Sequence, residues 1–121
     1  MAETIWEKTF KVLKNSDIEV YPPATKEGEC KSNYVVIKSD GSSQISTFSS
    51  QTNYYSVLVY VPKAKYSQLD RFANEVTEII ASKLYPDLMP TGQETPDFYD
   101  DTVKAHMRSI MYRVSKRNEH L

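Results

Sequence analysis

A chain of 121 residues with a net charge of −1 suits one domain with its own core. The near balance of charge argues against a globally basic nucleic-acid binder or an acidic tail protein. The single cysteine, Cys30, excludes an internal disulfide, and three glycines leave no room for a Gly-rich phosphate loop. No apolar run approaches the ~18 residues of a membrane-spanning helix, and the charged start Met-Ala-Glu-Thr-Ile-Trp-Glu-Lys lacks a signal core; the expectation is a soluble protein that is not secreted.

Thr4-Ile-Trp-Glu7 reads as a capping box, and Trp6, Phe10 and Leu13 follow at helical spacing, with Ile5, Thr9 and Val12 beside them. This predicts a short amphipathic helix ending near Asn15. Ile18-Glu-Val-Tyr21 alternates and is stopped by Pro22-Pro23. Residues 24–32 are polar and predict an exposed loop, with Cys30 as a bystander in it. Tyr34-Val-Val-Ile-Lys38 predicts a strand, and Asp40-Gly41 a type I′ hairpin turn. Residues 44–48 alternate but sit among Ser42, Ser43, Ser46, Ser49, Ser50, Gln51 and Asn53. So polar a strand belongs at an edge or in a projecting arm.

Residues 54–61, Tyr-Tyr-Ser-Val-Leu-Val-Tyr-Val, are the densest run of β-branched and aromatic residues, closed by Pro62. Nearly continuous hydrophobicity predicts a central strand with a cover on each face, supplied by the helices at 4–14 and 67–84. Ser67-Gln-Leu-Asp70 reads as a helix start, and Leu69, Phe72, Ala73, Val76, Ile79, Ile80 and Leu84 form one face, opposite Arg71, Asn74, Glu75, Glu78 and Ser82. Pro86 closes that helix. Residues 87–101, with Glu94, Asp97, Asp100 and Asp101, predict an acidic loop, and 103–114 a long strand followed by a frayed tail at 115–121. The fold class is α+β: one domain, a mostly antiparallel sheet of four to five strands, two helices, order α-β-β-β-β-α-β.

No catalytic constellation stands out. His106 and His120 are the only histidines, too few with one cysteine for a zinc set. The carboxylates at 94–101 do not match EF-hand spacing, and no nucleophile sits in an elbow motif. No catalysis, metal or cofactor is expected. Lys104, Arg108, Arg113, Lys116 and Arg117 make the C-terminal segment locally basic, and nine tyrosines offer stacking surfaces. The sheet lacks an aromatic RNA-binding pattern, so direct nucleic-acid contact is the weaker reading. An acidic 94–101 edge and a basic 103–117 edge also suit head-to-tail pairing into a ring.

The order Val20-Tyr-Pro-Pro, Asn33-Tyr-Val-Val-Ile-Lys, a Gly/Ser-rich hairpin, Tyr54-Tyr-Ser-Val-Leu-Val-Tyr-Val-Pro, an amphipathic helix and His106-Met-Arg-Ser-Ile-Met-Tyr-Arg-Val resembles the tail terminator proteins of tailed bacteriophages, over nearly the whole chain. Similar proteins cap contractile tails and phage-tail-like bacteriocins as collars. The resemblance implies a small α+β subunit assembled in the bacterial cytoplasm. It would form a homohexameric ring that caps the tail tube, stops its polymerisation and offers a surface to a sheath or head-completion protein. It implies partner contacts for the arm residues Gly41, Ser42, Ser43, Gln44, Ser49, Ser50, Gln51 and Asn53, and for Arg113, Lys116 and Arg117 towards the tail. Alternatives are a head-closure or neck protein of the same particle, or a small nucleic-acid-binding regulator. A membrane partner is not expected.

Overall fold

A computed structural model describes residues 4–26, 28–44 and 50–117, apart from the side chains at 41–44, 50–52 and 115–117. Helix α1, Ile5–Asn15, begins at the expected capping box: Thr4 Oγ1 accepts the Glu7 N–H at 3.1 Å, and the Glu7 carboxylate accepts the Thr4 N–H at 2.9 Å. Its Trp6 and Phe10 rings stack at 5.2 Å, and the Trp6 indole N–H donates to the Ile37 carbonyl at 2.9 Å. That bond fixes the helix against the edge of the sheet.

The sheet contains β1 (Val20–Tyr21), β2 (Tyr34–Gln44), β3 (Ser50–Pro62), β4 (Met89–Glu94), β5 (Phe98–Asp100) and β6 (Ala105–Arg117). The spatial order is β1-β2-β3-β6-β4, with β5 also paired to β6. Only β1 and β2 run parallel. A 3-10 turn at Lys63–Gln68 leads into helix α2, Leu69–Lys83. Its apolar face falls as the periodicity predicts, with Leu69, Phe72, Ala73, Val76 and Ile80 buried and Arg71, Asn74, Glu75, Glu78 and Ser82 exposed. No helix among the described residues is long and apolar enough to cross a membrane.

The α+β class and the element order agree in outline with the sequence, and β3 is the central strand. Both helices, however, lie on the same face. Val57, Val59 and Val61 of β3 are fully buried in one cluster with Leu13 of α1 and with Leu69, Phe72 and Val76 of α2. Each such fully buried Val or Leu contributes about 1.5–3 kcal/mol. The opposite face is covered at one pole only. There the 22–33 segment folds over the sheet, and Cys30, Tyr34 and Ala105 form a second cluster with Tyr21, Val36, Tyr60 and Val103. Cys30 is therefore buried, not loop-exposed, and its N–H donates to the Val103 carbonyl at 2.7 Å. Tyr34 stacks on Tyr60 at 4.7 Å, with Lys26 Nζ over its ring at 5.7 Å.

Other expectations are corrected. Asp40-Gly41 is no hairpin turn: β2 runs through it, with a bulge between Ser39 and Gly41. The separate strand at 44–48 is replaced by longer β2 and β3, and residues 45–49 lie outside the described residues. Gln68, not Ser67, precedes α2, and no side chain caps the helix, because the 3-10 turn already supplies the preceding backbone. The expected loop at 87–101 contains β4 and β5, and the long strand runs from Ala105 to Arg117 instead of 103–114. The first residues of the expected tail, 115–117, thus pair within the sheet; 118–121 lie outside the described residues.

Candidate docking face

The residues singled out from the sequence meet in one ladder. Ser42 pairs with Asn53, Ser43 with Thr52 and Gln44 with Gln51 across β2 and β3. Ser50 pairs with Arg117, Gln51 with Lys116 and Asn53 with Val114 across β3 and β6. Gly41 and Arg113 both face Tyr54. The polar arm and the basic C-terminal segment, two separate candidates in sequence, are thus one three-stranded arm. Ser49 lies outside the described residues. Among the described side chains, the last members of the apolar core on these strands are Ile37, Tyr55 and Val114, so the arm meets the core at Val114 and its ladder runs on beyond it.

At the base of the arm the uncovered sheet face carries Tyr54, Ser56 and Leu58 of β3 and Ser109, Met111 and Arg113 of β6, which share one side by strand alternation. The Ser56 hydroxyl donates to the Asp40 carboxylate, which also pairs with Lys38 Nζ at 3.4 Å. The bulge thus turns Asp40 onto this face. A cleft of about 530 Å³ opens here, lined by Asp40, Tyr54, Thr91, Gln93, Met111 and Arg113.

One wall of the cleft is a second irregularity, in β4. Pro90 faces Tyr112 and Glu94 faces Ile110, so 91–93 swing out of the ladder, with Gly92 at φ +86°. That left-handed conformation is strained for any residue with a Cβ. The Thr91 hydroxyl donates to the Met111 carbonyl at 3.2 Å and accepts the Gln93 N–H at 3.1 Å, which pins the excursion to β6. An outward excursion also blunts the sheet edge against uncontrolled pairing.

No protein-family model matches this chain. Searched against the curated proteins, it gives no significant match.

On the helix-bearing side of β6 the charges are arranged differently from the expectation of separate acidic and basic edges. Arg108 Nε and Nη2 reach Asp97 at 2.7 and 3.2 Å, Nη2 reaches Asp70 at 2.5 Å, and Nη1 lies 3.8 Å from Glu94. Lys104 pairs with Asp101 at 2.8 Å. The guanidinium holds the Asp97 carboxyl below the usual range, and the same hydrogen bonds hold Arg108 above its own. The acidic segment therefore folds back onto the start of the basic strand and engages Arg108 there, leaving Arg113 unengaged by it. Lys104 and Arg108, two of the five basic residues considered for nucleic acid, are engaged internally, whereas Arg113 stays exposed on the docking face.

His106 lies between the rings of Tyr66 and Tyr99, at 4.7 and 5.2 Å. Among the described residues no group of three His, Cys, Asp or Glu side chains is arranged to hold a metal ion. Sequence reasoning missed the β4 excursion and the Arg108 network. The Pro90-Thr-Gly92 run was a usable signal for the first, since Pro and Gly together mark a break in a ladder.

Proposed function

We propose that this protein is a structural subunit of a phage tail or tail-like particle: a tail terminator or collar whose copies form a ring on the end of the tail tube. It acts by binding and geometry, without catalysis. The ring, taken as hexameric from the resemblance, presents one face to the last tube subunits, blocks further addition, and leaves the other for a head-completion or sheath protein.

The observation that carries this reading is the three-stranded arm. Residues 41–44, 50–53 and 113–117 are far apart in sequence, yet they share one ladder that meets the core at Val114 and runs on beyond it. Residues 41–62 contain no charged side chain. Beyond Val36 and Arg113 the outer edges of β2 and β6 have no strand partner among the described residues, and such edges can accept a strand from another subunit. The α+β fold is also of the class that the resemblance implies.

Gly41 faces Tyr54, so replacing residues 42–53 by Asn-Gly closes the shortened hairpin with a two-residue turn. We expect this variant to fold and to leave tails uncapped when it replaces the intact protein in the bacterium that makes it. The readout is tail length by negative-stain microscopy, with circular dichroism confirming the fold. Tails of unchanged length from a folded arm-less variant overturn the assignment.

A further inference from the structure

We infer that the open sheet face around Tyr54, Met111 and Arg113 receives the outer face of α2 from a second copy of this chain. The inference rests on the ring reading and names its subunit contact.

Geometry gives the first support. The cleft lies on the sheet face that the helices leave bare, while the exposed side of α2 lies on the opposite layer. Two such surfaces cannot meet within one subunit. Between copies they make a head-to-tail contact, which a two-fold axis cannot satisfy and which closes into a ring when the rotation allows.

Charge gives the second. Strand β6 contains Arg108, Arg113, Lys116 and Arg117 and no acidic residue, and residues 41–62 add no charge. With Arg108 occupied internally and the cleft's Asp40 paired with Lys38, Arg113 is the exposed cation left on the cleft. The outer side of α2 supplies the complement. A shallow depression of about 640 Å³ runs along it, bordered by Asp70, Arg71, Glu75 and Glu78. Glu75 and Glu78 are exposed and make no ion pair among the described residues. Complementary patches of this kind set orientation and partner choice.

Apolar anchors give the third. Tyr66 and Tyr85, 50% and 60% exposed, flank α2 at its two ends, and among the described residues they are two of the three large exposed hydrophobics. Large aromatic rings at a polar surface are the usual anchors of an interface core. The partly buried Tyr54, Leu58 and Met111 on the sheet face give them apolar surface to meet.

The test is a charge exchange in the full chain: Arg113→Glu, Glu75→Arg with Glu78→Arg, and all three together. All three sites are exposed, and thermal melts confirm that each variant is folded. Assembly is read as the multimer fraction in sedimentation and as occupancy of purified tube ends in negative stain. Each half-exchange is expected to lower assembly about tenfold, and the combined variant to recover most of it, because opposed like charges are costly and the exchange restores complementarity. Half-exchanges that assemble like the wild type overturn this contact and leave the ring standing, as does a combined variant that shows only the sum of two losses. A wild-type chain that forms no multimer in solution or on tubes overturns the ring itself, and this contact with it.

Discussion

Arg108 and Asp97 form a two-point ion pair, Nε to Oδ1 at 2.7 Å and Nη2 to Oδ2 at 3.2 Å, that ties the β4–β5 connection to the sheet. The Tyr66 hydroxyl donates to the same carboxylate at 2.9 Å, which adds the turn before α2 to the knot. Asp97 thus has a lowered pKa because Arg108, and then Tyr66, stabilise its charged form. A depressed carboxyl contributes stability above its unfolded pKa of about 4 and loses it as the pH falls through the folded value. Asp97→Asn is expected to cost about 1–2 kcal/mol at pH 7, since Arg108 retains Asp70. The gap between wild type and variant narrows from pH 5 towards pH 3, at about the pH range where the carboxyl titrates. Urea titrations at several pH values measure it, and a pH-independent gap contradicts the assignment.

The interface between α1 and the sheet gives a second expectation. Leu13 is fully buried against both helices' common core, so Leu13→Ala should cost about 2–5 kcal/mol, with a lower denaturation midpoint and an unchanged slope. Trp6→Phe keeps most of the packing on Phe10 but removes the bond to the Ile37 carbonyl, and a smaller loss of about 1 kcal/mol is expected. Equal losses for the two substitutions argue against the indole bond as the distinguishing contact.

Cys30 is 2% exposed, and burial pushes its thiol pKa up. Because the thiolate is the reactive form, alkylation of the folded protein at pH 8 is expected to be at least about tenfold slower than of the urea-unfolded chain. Mass spectrometry after timed exposure to iodoacetamide decides it. Rapid labelling of the native protein means that the 22–33 segment does not stay closed over the sheet.

Burial pushes the Tyr112 hydroxyl up to about 12, and Tyr34, stacked under Lys26 and against Tyr60, is also raised. Both are 2% exposed. A phenol that stays neutral in the folded state but ionises near pH 10 when unfolded withdraws stability as the pH rises from about 10 towards 12. Absorbance at about 295 nm should show these tyrosines ionising only with alkaline unfolding. Tyr112→Phe should soften the fall in melting temperature above pH 10. A fall as steep as the wild type's means that other groups control the alkaline transition.

Much of the local structure was legible in the chain. The capping box at Thr4, the apolar stripe of α2 and the run at 54–61 are patterns in which a residue's neighbours three, four or two positions away decide its role. The Asp40-Gly41 signal failed for a related reason. A local turn preference is worth little against a ladder that continues on both sides, and a bulge accommodates the extra residue. The acidic segment at 94–101 read as a solvated edge because Arg108 lies far enough along the chain that no sequence pattern links it to Asp97.

By itself the sequence determined that there are two amphipathic helices, a strongly apolar central strand and an uncharged polar stretch leading into it, because periodicity, capping and composition act within a few residues. Only the tertiary structure decided that both helices share one face, that the arm takes its third strand from residues 113–117, and that the open face holds Arg113 beside the outward excursion of β4. Those outcomes depend on which apolar surfaces meet after loops have closed. An amphipathic stripe specifies that it must be covered, and leaves open which side of the sheet covers it.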